Sequence, residues 1–208
     1  MNLKEKILEI SYKYKLSHLG SYFSSVDIID GIYGNMNNED IFILSSGHAA
    51  LALYCCIEKY HGVSAEELFL KHGGHPHRDE ANKIHCSTGS LGLGITIALG
   101  RAVANPNRKV CVLVSDGECA EGSVWEALKT IVEQNIQNIE VHVNVNGYAA
   151  YMKIDTDYLE TRLKVFYPKI IIHRTSPEYF PFLQGLGAHY HIMSESDYLQ
   201  AKNIMNEK

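Results

Sequence analysis

Val110-Cys111-Val112-Leu113-Val114-Ser115-Asp116-Gly117-Glu118 is the stretch that decides the fold: five apolar residues in a row, closed by a Ser-Asp-Gly turn. An unbroken apolar run marks a strand buried on both faces, hence a parallel sheet covered by helices. Neighbouring segments agree. Ile41 to Leu44 is a second such run, followed by Ser45-Ser46-Gly47-His48 and a helical pattern from Ala49 to Tyr60. Ser123 to Asn135 reads as a helix and Ile139 to Val145 as the next strand. Parallel βαβ units are the simplest solution, giving an α/β fold with a parallel sheet and helices on both faces.

Further out, residues 2–15 carry helical spacing, as do Val26 to Tyr33 after the candidate caps Ser24 and Ser25. Ser64-Ala65-Glu66-Glu67 resembles a capping box, residues 71–88 form a long loop rich in His and Gly, and Gly89 to Ala104 reads as a Gly-led helix. Tyr158 to Phe166 has helical character and Lys169 to His173 strand character, leaving an irregular tail. No repeat or linker divides the chain, so residues 1–208 are expected to form a single domain.

The bulk composition narrows the partners. The net charge is −5, with Lys and Arg scattered, which gives no footprint for nucleic acid or an anionic membrane surface. Five cysteines without C-x-x-C spacing suggest reduced, mostly buried thiols. The sequence offers neither a signal-peptide pattern nor a run of roughly 20 apolar residues, so a cytoplasmic protein without membrane spans is expected.

Asp116 ends one buried strand and Asn146, thirty positions later, ends the next. Loops at the carboxyl ends of adjacent parallel strands point at one spot, where two oxygen ligands suit a hard cation such as Mg²⁺ together with diphosphate oxygens. Gly117 lets the backbone approach a phosphate. Either Asp-Gly or Asn-Gly alone is an ordinary turn dipeptide; it is the pairing that predicts a metal–diphosphate site.

The pair resembles the thiamine-diphosphate motif, with Ser115 in place of its first Gly. Ser17-His18-Leu19-Gly20, Leu44-Ser45-Ser46-Gly47-His48-Ala49-Ala50, Gly74-His75-Pro76, Ser87-Thr88-Gly89-Ser90-Leu91-Gly92 and Asp116-Gly117-Glu118 with Glu121-Gly122-Ser123-Val124-Trp125-Glu126-Ala127 are similar, in order, to segments of the transketolase family. The resemblance implies thiamine diphosphate and Mg²⁺ as cofactors. Asp116, Asn146 and the backbone carbonyl of Tyr148 would be the metal ligands. His48 and Gly117 would meet the diphosphate, and Gly89, Ser90 and Leu91 the aminopyrimidine, with Glu118, Glu121 and Asn146 completing the cofactor-binding set. His18 and His75 would face the reactive carbon and the substrate hydroxyls, alongside His48. His189-Tyr190 resembles the family's Trp-His-Tyr and would add His189 as a fourth catalytic histidine.

Imidazole suits proton transfers to sugar hydroxyls near neutral pH. Glu126 also reads as the end of a capping box from Ser123, while the resemblance puts Glu121 and Glu126 in a network at a homodimer contact. His72, His75, His77 and His85 match no zinc template, and His61, His142 and His173 read as surface or packing residues. Gly89, Gly92 and Gly94 follow no convincing strand, which disfavours a nucleotide-binding loop.

The family's pyrimidine-binding domain, which carries an activating glutamate, is not in this sequence. The resemblance therefore implies the N-terminal subunit of a split enzyme that transfers a two-carbon ketol unit between sugar phosphates with a separate C-terminal subunit, as in a heterotetramer. Residues 150–208 are shorter than the family's corresponding part, as though one βα unit were missing. Two alternatives are a subunit of a 2-oxo-acid dehydrogenase or decarboxylase, disfavoured by the histidines at 18, 48 and 75, and an inactive cofactor-binding scaffold.

Overall fold

The computed structural model describes residues 2–149 and 152–207; the expected boundary at residue 150 lies outside the described residues. In chain order the elements are α1 Leu3–Lys13, α2 Leu19–Gly34, β1 Ile41–Leu44, α3 Ala50–His61, α4 Ala65–His72, α5 Gly94–Ala104, β2 Val110–Ser115 and α6 Gly122–Glu133. There follow β3 Ile139–Val145, β4 Tyr148–Ala149, β5 Met152–Lys153, α7 Thr156–Phe166, β6 Ile171–Arg174, α8 Gly187–Tyr190 and α9 Glu195–Asn206.

Four parallel strands form the sheet in the order β1-β2-β3-β6, so all four carboxyl ends share one edge. Alternate side chains of each strand go to opposite faces. Phe42, Leu44, Cys111 and Leu113 pack with residues of α1, α2 and α3, while Ile41, Ile43, Val110, Val112, Val114, Val141 and Val143 pack with α5, α6 and α7. Two apolar layers thus sandwich the sheet, as the unbroken apolar strands require. All five cysteines are free and buried. Among the described residues no helix is long and apolar enough to cross a membrane.

Four local expectations need correction. Ser24 and Ser25 do not cap α2, which begins seven residues before Val26; they lie inside it, and their hydroxyls accept hydrogen bonds from the Asn144 amide on β3 at 3.1 and 3.2 Å. Their small polar side chains let this buried helix sit directly on a polar position of the sheet. The helix read from Gly89 begins only at Gly94, because residues 89–93 form a turn held by Glu118. Ser123 does not open a capping box with Glu126: its hydroxyl donates to the Gly92 carbonyl at 2.9 Å, and α6 starts one residue earlier. The tail is not irregular. It ends in α9, capped reciprocally by Ser194 and Asp197.

Candidate active site

A cavity of about 230 Å³ opens at the carboxyl edge of the sheet. Each strand delivers part of its wall through the loop that follows it. His48 comes after β1, Asp116 and Gly117 after β2, Asn146 and Tyr148 after β3, and Pro177, Gly185 and His189 after β6. The loop residues His75, Gly89 and Leu91 close one side and His18 with Ser21 another.

Four histidines converge there. The His18 ring lies 4.2 Å from His189, 5.7 Å from His48 and 6.5 Å from His75, centroid to centroid, and His48 is 5.4 Å from His189. His18 precedes the first turn of α2 with φ of 68°, a left-handed conformation that costs a non-glycine residue of order 1 kcal/mol. Its neighbours hold it there: its N–H donates to the His189 carbonyl at 2.8 Å, and its carbonyl accepts from Ser21 N–H at 2.9 Å. Ser17 Oγ lies 2.8 Å from His18 Nδ1 and fixes the ring.

Burial, followed by the mutual proximity of the rings, pushes His18 down to about 4 and His48 down to about 3; burial also lowers His189. At neutral pH these three are neutral imidazoles. They offer paired N–H donors and lone pairs, suited to hydroxyl and phosphate oxygens and to proton exchange.

Asp116 is only 3% exposed. Its Oδ2 accepts from the N–H groups of Asn146 and Gly147 at 2.8 and 2.7 Å, and its Oδ1 accepts from Gly117 N–H at 3.0 Å. Burial nevertheless dominates and pushes the carboxyl up to about 6. No Lys or Arg lines this cavity among the described residues. A desolvated carboxylate beside the Asn146 amide and the Tyr148 backbone is short of positive charge. A divalent cation satisfies it, so the residues present fit the Mg²⁺ that the sequence implies.

Of the expected site residues, His18, His48, His75, His189, Gly89, Leu91, Asp116, Gly117, Asn146 and Tyr148 all line the cavity. Ser90, Glu118 and Glu121 do not. Glu118 is fully buried and points inward: it accepts from Ser45 Oγ at 2.6 Å and from the N–H groups of Gly92 and Ser115 at 2.9 Å each. It joins the ends of β1 and β2 to the 89–93 turn. Glu121 and Glu126 are exposed at the start of α6. His72, at the end of α4, and the loop residue His85 pair with Asp79 and Glu80 instead of meeting one another. Sequence reading missed Ser21, Pro177, Gly185 and Ala188, whose only signal would have been a helix starting at Leu19 and an ordered tail.

Residues 72–206 match the family described as thiamine pyrophosphate enzyme, C-terminal TPP binding domain. One of the subunits of the apulose-4-phosphate transketolase of Actinobacillus succinogenes is 33% identical over 173 residues, covering 72% of this chain and 63% of that protein. The same-named protein of Phocaeicola vulgatus is 29% identical, covering 69% and 58%. The chain thus spans about three fifths of the length of these curated relatives. Transketolase from Leishmania mexicana superposes with a TM-score of 0.73 over 98% of this chain and 40% of that one, at 18% identity, which bears on the fold. The chain thus belongs to the family of thiamine pyrophosphate enzymes, with transketolases among the proteins it is similar to.

Proposed function

We propose that this chain is the diphosphate-binding half of a transketolase-type transferase, moving a two-carbon ketol unit between sugar phosphates when a second chain supplies the pyrimidine-binding half. The observation that carries this reading is the convergence of four histidines and the Asp116–Asn146 pair on one cavity. Asp116, Asn146 and the Tyr148 carbonyl would hold Mg²⁺. His48, kept neutral by burial, donates a hydrogen bond to a phosphate oxygen, with the Gly117 backbone beside it. Thiamine diphosphate, when bound, would supply the nucleophilic carbon for ketol transfer. His18, His75 and His189 orient the sugar hydroxyls and exchange protons with them. Residues 1–208 act as one domain, with 150–208 its shortened end.

The two-chain arrangement draws support from these relatives, each named as one subunit of its enzyme. The apulose 4-phosphate of their name is the first sugar phosphate to test. Glu121 and Glu126 belong to a contact between two copies of this chain. The exposed Leu93 and Ile97 at the start of α5 lie near it, because Gly92 packs against Glu121 and Ser123.

Calorimetric titration with thiamine diphosphate, with and without Mg²⁺, is the direct test. Saturable binding that needs Mg²⁺ and is lost in Asp116→Ala supports the assignment. Binding indifferent to Mg²⁺ and to that substitution refutes it. Sugar phosphates assayed against pyruvate, with the partner chain present, separate ketol transfer from 2-oxo-acid chemistry.

A further inference from the structure

On the α2-facing side of the sheet, away from the carboxyl edge, three side chains of different ligand chemistry meet. Cys111 on β2 stands directly opposite Glu140 on β3, and His142 follows two residues later on the same face. The Cys111 thiol points at Glu140 Oε2 across 3.6 Å, and His142 Nε2 lies 3.7 Å from the same oxygen. All three atoms fall within 4.8 Å of one another, the one such group of three among the described residues. Zinc bonds of about 2.0–2.3 Å in tetrahedral geometry place ligand atoms about 3.3–3.8 Å apart, so two of the three edges already have that spacing.

A second observation points to a ligand. His142 is 7% exposed, and its Nε2 has no hydrogen-bond partner. The 3.7 Å to Glu140 is beyond hydrogen-bonding reach, and a buried polar atom left unpaired is destabilising. The other ring nitrogen, Nδ1, lies 2.9 Å from His173 Nε2. With the Nδ1 proton donated to His173, Nε2 presents its lone pair to Glu140 and Cys111. That is how an outer residue orients a metal-binding imidazole.

We propose that Cys111, Glu140 and His142 form a zinc site, with His173 as the residue that orients His142. A cavity of about 970 Å³, bounded by Glu140, His142, His173, Lys109 and Arg174, gives the ion an entry path and room for water as the fourth ligand. Lys109 opposes a cation, but it pairs with the other carboxylate oxygen, Glu140 Oε1, at 2.9 Å, leaving Oε2 facing Cys111 and His142. Burial keeps the free thiol protonated, pushed up to about 12. Binding therefore forms the zinc–sulfur bond as the S–H bond breaks, releasing one proton to solvent. The imidazole is already neutral and yields no proton. Thiolate, imidazole and carboxylate together favour zinc over the hard Mg²⁺ of the carboxyl-edge site.

The test is a titration of the full-length, tag-free, chelator-stripped and reduced chain with Co²⁺, in the absence of thiamine diphosphate. One equivalent is expected to produce a thiolate-to-cobalt charge-transfer band that one equivalent of Zn²⁺ abolishes. The band should disappear in Cys111→Ser, weaken at least tenfold in apparent affinity in His142→Gln, and persist in Cys86→Ser and Asp116→Asn. His142→Gln borders the cavity and keeps the test valid if Cys111→Ser fails to fold, as judged by circular dichroism. Absence of the band in the unmodified chain, its survival in folded His142→Gln at unchanged affinity, or its loss in Cys86→Ser or Asp116→Asn would overturn the proposal.

Discussion

At the scale of single residues, the metal ligation proposed for Asp116 implies a buried carboxylate kept at a cost in stability. Its carboxyl is raised to about 6, against an ordinary value near 3.8, so the folded protein holds a proton there that the unfolded chain has already lost. Stability of the metal-free chain therefore falls as pH rises through that window, and the penalty is complete above about pH 6, at up to about 3 kcal/mol. Asp116→Asn removes the titration. Chemical denaturation of both proteins should show the variant gaining on the parent from pH 4 to 7, while its Mg²⁺-dependent affinity for thiamine diphosphate drops at least a hundredfold. A constant stability difference across that range would show that the carboxyl titrates normally. The histidines divide by position. His48→Ala should weaken cofactor binding tenfold or more, whereas His75→Ala, exposed at the cavity mouth, should lower turnover of the complete enzyme with cofactor affinity little changed.

At the scale of elements, the 89–93 turn is positioned by its backbone. Gly92 has φ of +76°, and a Cβ there would fall 2.5 Å from Ser123 Oγ and 2.8 Å from Glu121 Cβ. Gly92→Ala should cost about 3 kcal/mol in denaturation experiments, from left-handed strain and the displaced start of α6. A loss under about 0.5 kcal/mol would mean that the turn adapts freely. Glu118→Ala leaves the N–H groups of Gly92 and Ser115 without their acceptor and should destabilise by about 3 kcal/mol. β1 and β2 were readable from sequence because burial on both faces leaves almost only apolar residues, and β3 because its Ile and Val alternate with polar residues. The start of α2 was not, since it begins at a strained histidine without a side-chain cap and carries buried serines that mimic caps, whereas the Ser64 cap of α4 was. Glu118 was misplaced for a related reason: a carboxylate beside Asp116-Gly117 reads as a ligand until its three donors are seen. His142 read as a packing residue because sequence cannot reveal that one ring nitrogen is paired and the other is not.

At the scale of the molecule, the sheet's parallel order brings segments scattered from His18 to His189 to one edge, so residues of spaced motifs share one cavity. What the motifs could not supply was the wall contributed by Pro177, Gly185 and Ala188, which sit in a segment without periodicity. The proposed dependence on a second chain is tested most sharply by activity. The decisive measurement is ketol transfer from a ketose phosphate to an aldose acceptor, with thiamine diphosphate and Mg²⁺ present, for this chain alone and for a stoichiometric mixture with the candidate pyrimidine-binding chain. No transfer is expected from the chain alone, and transfer is expected in the mixture, lost again when the mixture contains Asp116→Ala. Full activity from the isolated chain, or undiminished activity with Asp116→Ala, would contradict a split active site built on this metal pair.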